Sequence, residues 1–284
     1  MNREALLQSI RASEGRTLLV EIKEGKTPHL PDLTNAELAR AAGADLILFN
    51  QLDLFEPKIT ALADDLEPIR TLKKFVQRPI GVNLEPVPTQ PIEILEELDN
   101  ILPGRQCQLE TLQRAEELGF DFICLTGNQK TGVNNQEIIE GIKLSRKHFT
   151  GIIMAGKMHS AASCEPIISL DLVETFIKSG ADIVLLPVVG TVPGFQMEEF
   201  VACSKLIHEL DALCLAAIGT SQDCSQKEVI RQLGLNAKIG GADIIHTGCS
   251  GSGGIAPFEN IIELSIAIRG LNHTLRRMAI SDQR

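Results

Sequence analysis

One three-residue word recurs four times along this chain: Gly43-Ala-Asp45, Gly119-Phe-Asp121, Gly180-Ala-Asp182 and Gly241-Ala-Asp243. Each copy stands between a stretch with helical pattern and an apolar run with strand character. A glycine in that place ends a helix as its C′ residue, because it adopts positive φ without steric cost, and the aspartate begins the strand. Four such junctions at nearly even spacing predict four βαβα units.

The runs between the junctions complete the pattern. Strands are predicted at 17–22, 43–50, 79–85, 119–126, 151–157, 180–187, 212–218 and from 243 to 247. Helical patterns fill 34–42, 57–76, 107–118, 134–148, 171–179, 196–210, 225–239 and 257–271, and a further short helix over 2–13 leads the chain. A Pro-rich loop with Pro86, Pro88 and Pro91 follows the third strand, and the basic C-terminal tail is expected to fray. Strands alternating with helices imply a parallel sheet, and runs apolar on both faces fit one covered by helices. Eight units in 284 residues is what a (β/α)8 barrel needs, here as a single domain over residues 1–284 with an extra N-terminal helix. A doubly wound open sheet is the runner-up, but it has little reason for such regular paired units.

Composition narrows the partners. A net charge of −10 and the absence of Trp and Tyr argue against nucleic acid, which would want a basic face and stacking rings. No apolar run is long enough to span a membrane, and Met1-Asn-Arg-Glu4 opens a polar helix and not a signal peptide. The cysteines number seven, are scattered, form no CxxC pair and partly sit inside apolar runs, which fits a reducing cytoplasm. The scarcity of aromatics does not exclude a homo-oligomer.

In a barrel of this kind, function collects where strands end. Gly248–Gly254 follows the eighth strand with four glycines and two serines and runs into a helix start near Pro257. Glycines and a helix N-terminus together make a phosphate cradle; the alternative is a plain glycine turn. Gly219 and Thr220, after the seventh strand, suit the other half of the cradle, with Gly251, Ser252 and Gly253 the first half. Lys157 and His159 end the fifth strand with like parity: the lysine suits a Schiff base or a base, or simply pairs with an anion, and the histidine suits proton shuttling. Glu21 and Glu85 read as general bases or as ion-pair partners of a lysine or arginine. Asn50, Asn83 and Asn128 stand at strand ends as substrate-binding amides, and His246 reads as a core histidine. No cofactor is predicted. Glu21, Glu85 and His159 are compatible with a divalent metal, but no ligand spacing demands one.

The stretches Gly43-Ala-Asp-Leu-Ile-Leu-Phe-Asn50, Arg78-Pro-Ile-Gly-Val-Asn83, Asn135-Gln-Glu-Ile-Ile-Glu-Gly141 and Gly180-Ala-Asp-Ile-Val184 resemble the BtpA/SgcQ-like family of phosphate-binding TIM barrels, and Ala155-Gly-Lys-Met-His159 lies where that family has a Lys-His pair. The resemblance covers about residues 40 to 255. It departs at Met158, which separates the pair, and in the richer glycine loop. It implies the barrel more firmly than a reaction, and some relatives resemble components of carbohydrate-uptake operons. The function expected is therefore a cytoplasmic enzyme, an isomerase or a lyase of the aldolase kind, on a small phosphorylated metabolite such as a sugar phosphate. The alternatives are a non-catalytic assembly or regulatory factor on the same scaffold and a metal-dependent hydrolase.

Overall fold

The computed structural model describes residues 2–62, 65–88 and 99–281. Pro91 and the last three residues of the tail lie outside them. Eight parallel strands pair in chain order and the eighth closes on the first: β1 (Thr17–Lys23), β2 (Leu46–Asn50), β3 (Ile80–Leu84), β4 (Phe122–Leu125), β5 (Ile152–Gly156), β6 (Ile183–Pro187), β7 (Leu213–Ile218) and β8 (Ile244–Thr247). Around them run α1 (Arg3–Ala12), α2 (Asn35–Ala41), α3 (Pro68–Val76), α4 (Leu109–Leu118), α5 (Asn135–His148), α6 (Leu170–Ser179), α7 (Met197–Glu209), α8 (Lys227–Ile239), α9 (Phe258–Arg269) and α10 (Leu271–Ala279). The chain is a (β/α)8 barrel with an additional N-terminal helix.

The repeated word has a physical job. Gly43, Gly119, Gly180 and Gly241 all adopt positive φ, turning the chain from helix to strand. The backbone N–H of each following aspartate donates to the strand before it: Asp45 to Leu18, Asp121 to Ile80, Asp182 to Ile153 and Asp243 to Cys214. The carboxylate of each accepts in return from the N–H of the same residue, at 2.8–2.9 Å. Each carboxylate also meets a basic side chain: Arg269 and Arg277 at Asp45, Lys73 at Asp121, Arg3 and Arg146 at Asp182, His208 at Asp243. Every even strand is thus clamped to the odd strand before it at the N-terminal end of the barrel.

Side chains of alternating parity split the interior in two. Leu19, Leu48, Phe122, Met154, Leu185 and Leu215 fill the barrel, while Val20, Ile47, Ile123, Ile153 and Val184 pack outward under the helices. Gly81 is required here, because a Cβ would sit 2.1 Å from the Phe122 ring. Helix α1 lies across the base, with Leu6 and Ile10 buried in the inner cluster. Each such aliphatic side chain contributes about 1.5–3 kcal/mol by leaving water.

Two expectations are corrected. The helix expected over 57–76 is α3 alone, starting at Pro68; the described residues before it form a loop in which Ile59 is buried and Thr60 meets Glu24. The tail does not fray at 271: Gly270, at positive φ, ends α9 and α10 begins, held by a buried Thr274–Ser265 hydroxyl pair and by Arg277 on Asp45.

Asp182→Ala is expected to cost about 3 kcal/mol in urea unfolding, since it strips the Ile153 N–H and two arginines of a buried acceptor. Asp211→Ala, which removes the exposed partner of Arg11, should change stability by under about 0.5 kcal/mol.

Candidate functional site

At the C-terminal end of the strands the inner parity turns polar. Glu21 on β1, Asn50 on β2, Asn83 on β3 and His246 on β8 form a buried layer above the apolar filling. Glu21 is its hub. Its Oε2 lies 2.6 Å from His246 Nε2, and its Oε1 accepts from Asn50 Nδ2 at 2.5 Å, Cys249 Sγ at 3.2 Å and Asn83 Nδ2 at 3.5 Å. Asn50 and Asn128 exchange amide hydrogen bonds at 2.8 and 2.9 Å, and Asn128 passes on to Glu85 Oε1 at 2.7 Å.

Burial alone raises the Glu21 pKa, but the bond and charge of His246, with Cys249 and Asn50 adding to them, outweigh it and hold the group below its ordinary value. Burial holds the Cys249 thiol well above its ordinary value, with Glu21 adding to the effect, so it stays protonated and is no nucleophile.

This layer floors a cleft lined by Glu21, Lys23, Asn50, Asn83, Thr126, Asn128, Met158, His159 and the loops 219–221 and 248–250. His159 Nδ1 accepts from the Ala161 N–H at 3.1 Å, which leaves the proton of the neutral ring on Nε2. Burial, aided by the Lys157 charge and opposed by Glu21, lowers the His159 pKa and favours that neutral form. Asn83 Oδ1 and Thr126 Oγ1 are buried with no partner among the described residues. Thr220 and Ser221 both adopt positive φ, costly for a β-branched side chain and the kind of strain that collects at functional sites.

Of the residues singled out in the sequence, Glu21, His159, Asn50, Asn83, Asn128, Gly219 and Thr220 line this cleft. Lys157 does not. Inner parity on β5 runs through Ile152 and Met154 to Met158, so Met158 enters the mouth, and Lys157 follows Ile153 and Ala155 outward. Its ammonium is buried on Glu165 at 2.8 Å and Ser163 at 3.2 Å, and Glu165 in turn accepts from the Asn135 N–H at the start of α5. Lys157 therefore staples a loop to a helix. Glu85 is also set apart, its Oε1 bound by Arg105 at 2.6 Å, the arginine pairing that was one of its two readings.

The glycine loop turns away from the cleft. Gly254 packs on the Lys23 carbonyl, Gly253 on the His29 ring, and the Gly253 carbonyl accepts from Asn35; Gly251 and Ser252 face a separate hollow beside His29 and Phe258. Its glycines permit close approach to the segment after β1. The cleft meets only the start of the loop, where Asp223 takes the Ser250 N–H at 2.8 Å.

Two participants escaped the sequence. His246 is a core histidine in burial, yet it is the partner of Glu21. Lys23 shares the parity of Glu21, which was the available signal, and its ammonium has no partner among the described residues. Among the described residues no group of three or more His, Cys, Asp and Glu is arranged to hold a metal; Glu85 on Arg105 is drawn away from Glu21 and His159.

The depressed Glu21 pKa fixes a sign. Its stabilising contribution is full above the unfolded value near 4.5 and is lost as pH falls through the lower folded value. Glu21→Gln should flatten the acid limb of stability against pH below about 4.5, measured by denaturant titration. Lys157→Met should lower stability by about 2 kcal/mol and leave ligand binding in the cleft unchanged by calorimetry.

The chain belongs to the family described as "Domain of unknown function (DUF7916)", whose match spans residues 1–284. No curated protein sequence matches it. Among solved structures, it is similar to an archaeal fructose-1,6-bisphosphate aldolase described with its catalytic Lys covalently bound to the carbinolamine intermediate of the substrate. The TM-score is 0.57 at 15% identity, covering 93% of this chain and 100% of that one. A second, described as a Schiff base forming fructose-1,6-bisphosphate aldolase, gives 0.56 at 14% identity over 92% and 99%. At such identity the likeness is one of fold. Among the described residues no helix is long and apolar enough to cross a membrane.

Proposed function

We propose that this member of the DUF7916 family is a single-domain enzyme of the lyase or isomerase kind, working by proton transfer on a small, hydroxyl-bearing phosphorylated metabolite. The observation that carries the reading is the buried Glu21–His246 pair opening on a cleft whose Asn83 and Thr126 keep unpartnered oxygens. A carboxylate held ionised in a nearly dry site is a base with a fixed aim, and His246 fixes that aim. In this reading Glu21 takes a proton from the substrate. His159, neutral with its proton on Nε2, donates to the oxygen where charge develops. Asn83, Thr126 and the Asn50–Asn128 pair orient hydroxyl groups. Lys23 is the cation for the phosphate, with the Gly219–Ser221 rim beside it.

The fold of the aldolases supports a barrel-mouth site for a sugar phosphate, as does the resemblance to BtpA/SgcQ-like barrels. A Schiff base is not part of the reading, because the ammonium of Lys157 is buried on Glu165 outside the cleft.

The test is a thermal-shift panel of sugar phosphates against their unphosphorylated counterparts, followed by turnover assays on the hits. A ligand at about a hundred times its Kd adds about 2.7 kcal/mol, a shift of several degrees. Lys23→Ala should erase the preference for the phosphorylated partner. Asn83→Ala should weaken both partners. Glu21→Gln should keep the shift and lose turnover. A shift with no turnover by the wild type would turn the reading to a regulatory factor, and no shift from any phosphorylated compound would end it.

A further inference from the structure

His159 lines the cleft, but what holds it there lies behind the cleft wall. Its Nδ1 accepts from the Ala161 N–H at 3.1 Å, so the backbone of the turn that follows sets the aim of the ring. That turn is strained. Ala161 and Ala162 have φ of 53° and 70°, in the left-handed region where a Cβ crowds the following carbonyl. Two such residues in succession, neither of them glycine, persist only where the surroundings impose them.

The surroundings do so at three points. The Ser160 carbonyl accepts from the Ser163 N–H at 2.9 Å and from Ser163 Oγ at 2.7 Å, which closes the turn. The Ala161 carbonyl accepts from the Gly132 N–H at 2.8 Å. Lys157, 1% exposed, donates from its ammonium to Ser163 Oγ at 3.2 Å and to Glu165 at 2.8 Å, so it grips the segment on both sides of the turn.

The neighbouring loop is tied to the same ion pair. Glu165 also accepts from the Asn135 N–H at the start of α5, and Asn135 Nδ2 donates to the Pro166 carbonyl at 2.9 Å. The loop that leads from β4 to α5 presses on the turn: a Cβ on Gly127 would stand 3.0 Å from Ala161 Cβ. Thr131 Oγ1 in that loop donates to the Asn128 carbonyl at 2.8 Å. His159 and Asn128, both lining the cleft, therefore hang on one buried lysine–glutamate pair.

The ammonium also acts on the ring through space. Burial lowers the His159 pKa, Glu21 opposes it, and the charge of Lys157 adds to the lowering. A like charge behind the ring disfavours its protonated form. Burial lowers the pKa of Lys157 as well, and the bond and charge of Glu165 oppose that.

We propose that Lys157 is a positioning residue for His159: its ion pair with Glu165 keeps the strained turn 160–163 in place, and the turn holds the neutral imidazole with its proton on Nε2. The consequence for turnover rests on the proton-transfer reading of the cleft, whereas the state of the ring does not. A lysine that only joined a loop to a helix would leave the ring indifferent to its charge.

The experiment follows both ring nitrogens of His159 against pH by NMR of the full chain labelled with ¹⁵N-histidine, the signals assigned by their loss in His159→Gln. Wild type should show the Nε2–H form at neutral pH and a midpoint below the ordinary 6.5. Lys157→Met should raise that midpoint by about half a pH unit or more and mix the two tautomers. Lys157→Arg, which keeps the charge and a donor for Glu165, should keep the midpoint low. Ala161→Gly with Ala162→Gly relaxes the turn with the ion pair intact, and should mix the tautomers at a low midpoint in a chain that folds at least as well. With a substrate from the thermal-shift panel, Lys157→Met should lower kcat by about tenfold or more at unchanged KM. A wild-type ring with its proton on Nδ1 would overturn the proposal, as would wild-type signals from both Lys157→Met and the double glycine variant. If Lys157→Met does not fold, the double glycine variant decides alone. Absence of turnover by wild type on every compound would sink the reading of the cleft and leave the ring signals to judge Lys157.

Discussion

The reciprocal bond between an aspartate and the preceding strand is the constraint on which the barrel rests. A parallel strand pair has no hairpin to set its register, so something local has to align each new strand on the last. Here the aspartate does it with two bonds to one residue, its own N–H to the carbonyl and its carboxylate to the N–H. The glycine two residues before brings the helix to a stop at the height where those bonds can form. Because the four clamps share one geometry, the polar ends of the strands come level at the other end of the barrel. Glu21, Asn50, Asn83 and His246 meet there in one layer for that reason.

The fold was legible because its signals are local. Helix stop, glycine, aspartate and apolar run are adjacent in the sequence, and all eight strands lie within a few residues of where they were expected. The misses are where tertiary packing decides. Nothing local around residues 57–67 shows that Ile59 is buried in a loop. Nor does a basic stretch reveal that Arg277 ends on Asp45, far back in the chain, which turns an expected frayed tail into α10.

The lining of the cleft was legible in part, and the place of Lys157 was hidden for one reason. Period-2 alternation tells which residues share a face but not which face is inner. On β1 and β3 the polar residues Glu21 and Asn83 have inner parity. On β5 the inner series ends in Met158, and the conspicuous lysine beside it belongs to the outer one. The parity of Ile152 and Met154 against Ile153 and Ala155 is ambiguous in sequence, since both sets are apolar. Glycine richness misled differently: it marks close backbone approach, and the object approached is the chain after β1. The Glu21–His246 pair spans 225 positions and joins the first strand to the last, so only closure of the barrel reveals it.

The placement of charge in the finished molecule follows from the same closure. The layer above the apolar filling has little room for water, so an ionised Glu21 there is sustained by the amides, thiol and imidazole aimed at it. Those donors are spent on the carboxylate from one side, and Asn83 Oδ1 and Thr126 Oγ1 have no donor among the described residues. In the proposed reading such a site receives groups that bring protons with them, such as hydroxyls, and Lys23, whose ammonium at the rim has no partner among the described residues, takes the anion. In the proposed reading this polar floor, bonded together in advance, favours charge that develops during reaction over charge already present.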